Sequence, residues 1–267
     1  MLNTEKRNEK SMNIDKMSTE EMVKLVVAEN YVAVKAAEDA TESISRAVDV
    51  VAEAIKNGNK VYYIGAGTSG RLGIIDATEC PPTYGVSADT FVGIIAGGPE
   101  CVFHASENEE DSLEAGKKDV INNGVKEGDV LIGISVAGNA EYVYGALIKA
   151  KELGAHTVGL TCNNDTLVYN NSDIAIWTDT GAEVVTGSTR LKAGTAHKIV
   201  LNAISTCAMI KLGKVYQNLM INLHAKNKKL EQRMINMVCD ILGCSREKAN
   251  ELLVKHDWNV RDAVEKQ

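Results

Sequence analysis

The sequence predicts an α/β fold: a doubly wound parallel sheet, preceded by N-terminal helices and followed by a small three-helix module. Three observations carry that expectation. Short β-rich runs alternate with helical segments from residue 60 to residue 213. The runs are apolar almost throughout, as strands covered by helices on both faces are. Past about residue 225 the β-rich runs stop and only helical spacing remains. The expected organisation is residues 1–57 as a helical segment on the core, 58–224 as a ligand-binding domain and 225–267 as the helical module.

Each element has its own signal. Ser18, with Glu21 three residues on, forms a capping box that opens a helical stretch. Val32, Ala36, Ile44, Val48, Val51 and Ile55 continue it until Asn57-Gly58 stops the pattern. KVYYIGAG (60–67), FVGIIAGG (91–98), DVLIGISVAG (129–138), HTVGLTC (156–162) and IAIWTD (174–179) read as strands. Between them, residues 106–122 and 140–154 read as helices, the second ending on Gly154, and 194–213 is a long apolar helix. In the C-terminal segment, Gly243-Cys244-Ser245 and Asp257-Trp258-Asn259 punctuate three short helices. Their pattern resembles a ubiquitin-associated (UBA-like) module, which we read as packing architecture.

Composition excludes several classes. A formal charge of −7 disfavours a general nucleic-acid or acidic-membrane surface, so an anionic ligand must be held by local features. The six cysteines form no C-x-x-C pair and no zinc-type spacing with histidine, so no metal is expected. They read as reduced thiols of a cytoplasmic protein. The N-terminus is too polar for a signal peptide, and no apolar run reaches the roughly 18–20 residues of a membrane span.

The stretch YIGAGTSGRLGIIDATECPP (63–82) contains a literal G-x-G-x-x-G at Gly65, Gly67 and Gly70. A dinucleotide fold needs an acid at the carboxyl end of the next strand, for a ribose hydroxyl. Asp89 precedes that strand instead, and its far end reads Ala96-Gly97-Gly98-Pro99. The oxidoreductase reading fails there. Thr68 and Ser69 suit a phosphate monoester held by helix N-terminal amides and hydroxyls. TGSTRLKAGT (186–195) adds Thr186, Ser188, Thr189 and Thr195 with Arg190 and Lys192, directly before a helix. The expected phosphate ligands are Gly67, Thr68, Ser69, Gly70, Ser135, Ser188, Thr189, Arg190 and Lys192.

Two carboxylate candidates remain. Glu79 stands in TECPP, beside a turn made rigid by Pro81-Pro82. The other comes from Glu107, Glu109, Glu110 and Asp111, where spacing alone does not choose among a helix start's acids.

GAGTSGRLGIIDATECPPTYG, EVVTGSTRLKAGTAHK and KLGKVYQNLM (211–220) closely resemble the N-acetylmuramic acid 6-phosphate etherases. The likeness runs from TEKRN (4–8) into the C-terminal module. That family has a sugar isomerase (SIS) type, flavodoxin-like fold and is related to the glucokinase regulatory protein. The resemblance implies a cytoplasmic carbon–oxygen lyase of cell-wall sugar recycling. It would need no cofactor and would work as a homodimer with sites near the interface. By motif, the family's catalytic glutamates fall on Glu79, as the acid at the lactyl oxygen, and Glu110, as the C2 base.

One loop departs from the family. Where A-S-G-R-T-P is usual, this sequence has Val136-Ala137-Gly138-Asn139-Ala140-Glu141: two hydroxyls and a positive charge are gone and a negative charge has arrived. Losing a partner to a charged group costs about 1.5–3 kcal/mol in a buried site. Ser135 is one candidate to compensate. The alternatives are an etherase or isomerase of another sugar phosphate, or a phosphosugar-binding regulator without turnover. His197, where the family commonly has glutamine, is expected on a helix surface or interface.

Overall fold

The computed structural model describes residues 1–106, 108–222 and 228–266. Glu107, one of the acid candidates, and the expected boundary at 224/225 lie outside them. Two helices come first, α1 (Thr19–Asp39) and α2 (Thr41–Lys56), separated at Ala40. The Ser18 hydroxyl accepts from the Glu21 amide, and the Glu21 carboxylate accepts from the Ser18 amide at 2.7 Å, so the capping box forms as its spacing requires.

The sheet holds five parallel strands: β1 (Val61–Gly65), β2 (Phe91–Ile95), β3 (Val130–Ile134), β4 (His156–Thr161) and β5 (Ile174–Trp177). They lie in the order β2-β1-β3-β4-β5. Val61 and Tyr63 enter one apolar cluster and Tyr62 and Ile64 the other, as a pleated strand buried on both faces dictates. α2, α3 (Gly67–Tyr84) and α7 (Lys192–Lys211) cover the first face, and α1 lies on α7. α4 (Leu113–Asn122), α5 (Glu141–Glu152) and the single turn α6 (Leu167–Asn170) cover the second. The helix after β1 therefore crosses one face and the helix after β3 the other. That reversal opens a crevice at the carboxyl ends of β1 and β3.

Helices α8 (Lys228–Leu242), α9 (Arg246–Lys255) and α10 (Val260–Glu265) build their own core around Met234, Val238, Leu253 and Val260. No helix among the described residues is long and apolar enough to cross a membrane.

Two local expectations change. TECPP is not a turn: it is the end of α3, with Pro81 and Pro82 inside the last helical turn. Each ring removes an amide that would otherwise donate four residues back, to the carbonyl of Ala77 or Thr78, and the helix ends within one turn. Gly85 then stops the helix at φ 65°, its amide donating to the Pro81 carbonyl at 3.0 Å. His197 is not on a surface but fully buried, because α7 is enclosed by the sheet and its neighbouring helices. Its Nε2 lies 3.4 Å from Cys162 Sγ, and its Nδ1 has no partner among the described residues.

Burial pushes His197 down to about 3. The folded state keeps the ring neutral, whereas the unfolded chain takes up a proton near pH 6.5. Its contribution to stability is thus complete above about pH 6.5 and is lost as pH falls toward about 3. His197→Gln should show a smaller fall in Tm than the parent between about pH 7 and about pH 5, measured by thermal unfolding.

Candidate active site

The glycine turn is shaped by close approach. A Cβ on Gly70 would stand 2.6 Å from the Gly65 carbonyl oxygen and 2.7 Å from the Ile95 side chain. Only glycine lets the first turn of α3 descend onto β1 and β2 this far. Gly67, at φ +51°, turns the chain from strand to helix. The Ser69 amide bonds back to the Ala66 carbonyl at 3.1 Å, while the Gly67 and Thr68 amides have no hydrogen-bond partner among the described residues. Those free donors open the positive end of a helix.

They face a cavity of about 410 Å³ at the β1/β3 crevice. Ala66, Gly67, Thr68 and Ser69 form one wall, and Ser135, Val136, Ala137, Asn139 and Ala140 the second. Gly187 and Thr189 close a third side, and Glu5, Glu110 and Asp111 bring carboxylates to the rim. The cavity thus unites Gly67, Thr68, Ser69, Ser135, Thr189 and Glu110 from four segments of sequence. No Lys, Arg or His is among its described lining residues. An anion here is met by amides and hydroxyls rather than by a fixed cation, as at other helix N-termini.

The remaining predicted ligands lie elsewhere. Gly70 is a packing residue beneath the cavity. Ser188 is half-buried beside it, and Arg190 is exposed to solvent. Lys192 is not brought to the cavity, because its ammonium is buried 2.6 Å from Glu29 Oε2, each side chain only 5% exposed. Burial alone would raise the Glu29 pKa, but hydrogen bonds from Lys10, Lys192 and Asn8 outweigh it and hold it at about 2. The N-terminus of α7 is also taken. The Glu183 carboxylate accepts from the Ala193 amide at 2.9 Å and the Lys192 amide at 3.3 Å. Of the two helix ends expected to receive an anion, α3 is open and α7 carries an anion of its own.

The acids separate by geometry. Glu109 accepts from the Ser106 hydroxyl at 3.0 Å, and its side chain lies against Gly97. Glu110 and Asp111 line the cavity. Glu79 does not. It is exposed near the far end of α3, about 18 Å along the axis from Gly67 at 1.5 Å per residue. Ile75, one turn earlier on that face, is 53% exposed.

The altered loop is held firmly. Asn163 donates from Nδ2 to the Val136 and Ala137 carbonyls at 3.2 and 3.4 Å. Asn139 Oδ1 accepts from the Leu167 amide at 3.2 Å. Ser135 accepts from the Gly138 amide at 3.1 Å, which leaves its own O–H available to a ligand. Glu141 is the first residue of α5 and faces solvent, where an acid complements the helix dipole; it does not line the cavity. Sequence reasoning missed Glu5, Glu183 and Asn163. Glu5 and Asn163 act on residues far away in the chain, and Glu183 reaches amides nine and ten positions on across a loop, so no local spacing signals them.

Residues 43–151 match the glucokinase regulatory protein N-terminal SIS domain model, and residues 104–206 the SIS domain model. An N-acetylmuramic acid 6-phosphate etherase of Clostridium beijerinckii is 50% identical over 98% of this chain and 86% of its own. One of Caldanaerobacter subterraneus is 47% identical over 98% and 85%. The chain belongs to the N-acetylmuramic acid 6-phosphate etherase family. The fold of this etherase-family member is also that of a phosphoheptose isomerase from Neisseria gonorrhoeae (TM-score 0.56, 23% identity, covering 72% of this chain and 98% of that one).

Removing one member of a buried ion pair leaves the other's charge less well compensated, here with Lys10 and Asn8 still on Glu29. Lys192→Met should therefore lower unfolding stability by about 3 kcal/mol in denaturant titration. Inorganic phosphate affinity, measured by calorimetry, should change by less than about threefold, whereas Ser69→Ala should weaken it by more.

Proposed function

We propose that this protein cleaves the D-lactyl ether of N-acetylmuramic acid 6-phosphate, giving N-acetylglucosamine 6-phosphate and D-lactate. The observation that carries the reading is near-complete alignment, at 50% identity, with a relative bearing that etherase name. The open amides of Gly67 and Thr68 beside Ser69, Ser135 and Thr189 support it, as a seat for the 6-phosphate.

The chemistry asks for two carboxyl groups. An ether oxygen is a poor leaving group, but in the ring-opened sugar the C1 aldehyde acidifies the C2 proton. One carboxylate removes that proton, and a carboxylic acid protonates the lactyl oxygen as its bond to C3 breaks. Water then adds to the resulting double bond at C3, and the proton returns to C2. Glu110 takes the role of base and Glu79 that of acid.

In our reading the acid comes from a second copy of the chain, in a homodimer with sites near the interface. The distance between Glu79 and the cavity within one protomer favours this. So do the exposed Ile75 beside Glu79 and the exposed stripe Val23, Val27, Tyr31 and Val34 along α1. The phosphate's charge keeps such a substrate on one side of a membrane, which suits cytoplasmic recycling of cell-wall sugars.

The test is lactate release from N-acetylmuramic acid 6-phosphate in heavy water, with C2 followed by NMR. The expected result is lactate together with solvent deuterium at C2 of the product. Binding with neither lactate nor exchange would overturn the etherase reading and leave a non-catalytic sensor or a different sugar phosphate. Glu79→Gln should reduce lactate release by about 10²–10⁴-fold while C2 exchange persists and the fold is retained by circular dichroism. Glu110→Gln should suppress the exchange itself.

A further inference from the structure

The N-terminal segment is tied down at two points, and both ties reach the loops that line the cavity. Thr4 is fully buried. Its hydroxyl accepts from Asn163 Nδ2 at 3.0 Å, and its amide lies 3.5 Å from Asn163 Oδ1. The same Asn163 amide group holds the carbonyls of Val136 and Ala137. Further on, Asn8 donates to Glu29 Oε2 at 2.9 Å and to the Ala182 carbonyl at 3.2 Å, and Lys10 pairs with Glu29 Oε1 at 2.8 Å. Glu29 in turn holds Lys192, at the foot of the 187–191 loop. Residues 4–10 are therefore a strap across the site, stapled to the 136–140 loop at one end and to the 182–192 segment at the other.

Glu5 lies between the two staples and lines the cavity. Nothing in the packing calls for a carboxylate there. Glu5 forms no salt bridge and its side chain makes no hydrogen bond within the described residues. A neighbour that fixes its backbone on one side and a two-point clamp on the other hold an uncommitted acceptor over the cavity mouth.

We propose that Glu5 is a substrate-binding, specificity-determining residue that accepts a hydrogen bond from a neutral donor of the sugar, a hydroxyl or the acetamido N–H. The proposal rests on the sugar-phosphate reading above. An ionised carboxylate only accepts hydrogen bonds, and it repels the two anionic ends of such a substrate. Seated at the rim, it selects the edge of the sugar that carries O–H or N–H groups and directs the phosphate toward the opposite wall, where the α3 amides are free. The strap makes this contact reproducible, because Thr4 is buried and paired immediately before Glu5.

Calorimetric titration of the full-length protein with N-acetylglucosamine 6-phosphate and, separately, with inorganic phosphate tests the assignment without turnover. Glu5→Ala should weaken sugar-phosphate binding by about tenfold while phosphate binding stays within about twofold or tightens. Glu5→Gln, which keeps an acceptor oxygen, should recover most of the loss. Thr4→Val, which removes the hydroxyl held by Asn163, should show the same selective loss with Glu5 intact. Equal weakening of both ligands in Glu5→Ala would assign the strap to loop support and overturn the proposal. Wild-type affinity for both ligands would overturn it as well. The etherase reading fails separately: sugar-phosphate binding that depends on Glu5, without lactate release from the wild-type protein, removes the etherase and keeps the Glu5 contact.

Discussion

The contact on which the site depends is the one between Gly65 and Gly70. Two residues without side chains allow the start of α3 to rest on the end of β1, with Ile95 of β2 against it. A Cβ at Gly70 would stand 2.6 Å from the Gly65 carbonyl oxygen and one at Gly65 2.9 Å from the Gly70 amide nitrogen, so the helix start that carries the Gly67 and Thr68 amides would have to move. A helix end is useful to an anion only within its first turn. The binding wall is thus set by van der Waals contact beneath it, before any ligand-facing side chain is considered.

Charge is distributed around that wall with a consistent logic. The chain is acidic, and acids stand on the rim of its cavity. Two cations near in sequence are spent elsewhere, Lys192 on Glu29 within the interior and Arg71 on the Cys101 and Val102 carbonyls at 2.7 and 2.8 Å, while Arg190 stands in solvent. Glu183 occupies the start of α7. Two helix starts border the cavity, that of α3 and that of α5, whose Ala140 cap makes no side-chain hydrogen bond but whose first turn carries Glu141. Rim carboxylates and the open end of α3 together polarise the cavity along one direction.

The fold was legible because its signals are local. Apolar runs such as KVYYIG and DVLIGI and the Ser18–Glu21 box specify their own elements, and the strands appear within a few residues of where the pattern put them. The walls of the cavity were legible for the same reason, since hydroxyls and glycines directly before a helix announce an open helix end. What was not legible depends on long-range packing. Lys192 looked like a ligand because it sits in a Ser/Thr-rich loop, yet Glu29, 163 positions away, claims it. His197 looked superficial because one helix's periodicity does not reveal how many neighbours enclose it. TECPP looked like a turn because paired prolines usually end helices sooner than they do here. Glu5 stood within the TEKRN likeness but offered no chemical signal of its own, since its position over the cavity comes from the pairing of Thr4 with Asn163.

The seat made of Gly67 and Thr68 amides has a bearing on how this protein can change over generations. A side-chain ligand is lost by a single codon change, whereas a backbone N–H belongs to every residue but proline. What inheritance must preserve is the shape of the turn, not the chemistry displayed on it. The neighbouring 136–141 segment, fastened through its carbonyls by Asn163, is likewise held by main-chain atoms that drift in its letters leaves untouched. A lineage can therefore rewrite that loop, hydroxyls and arginine included, while handing on the same anchor for the phosphate.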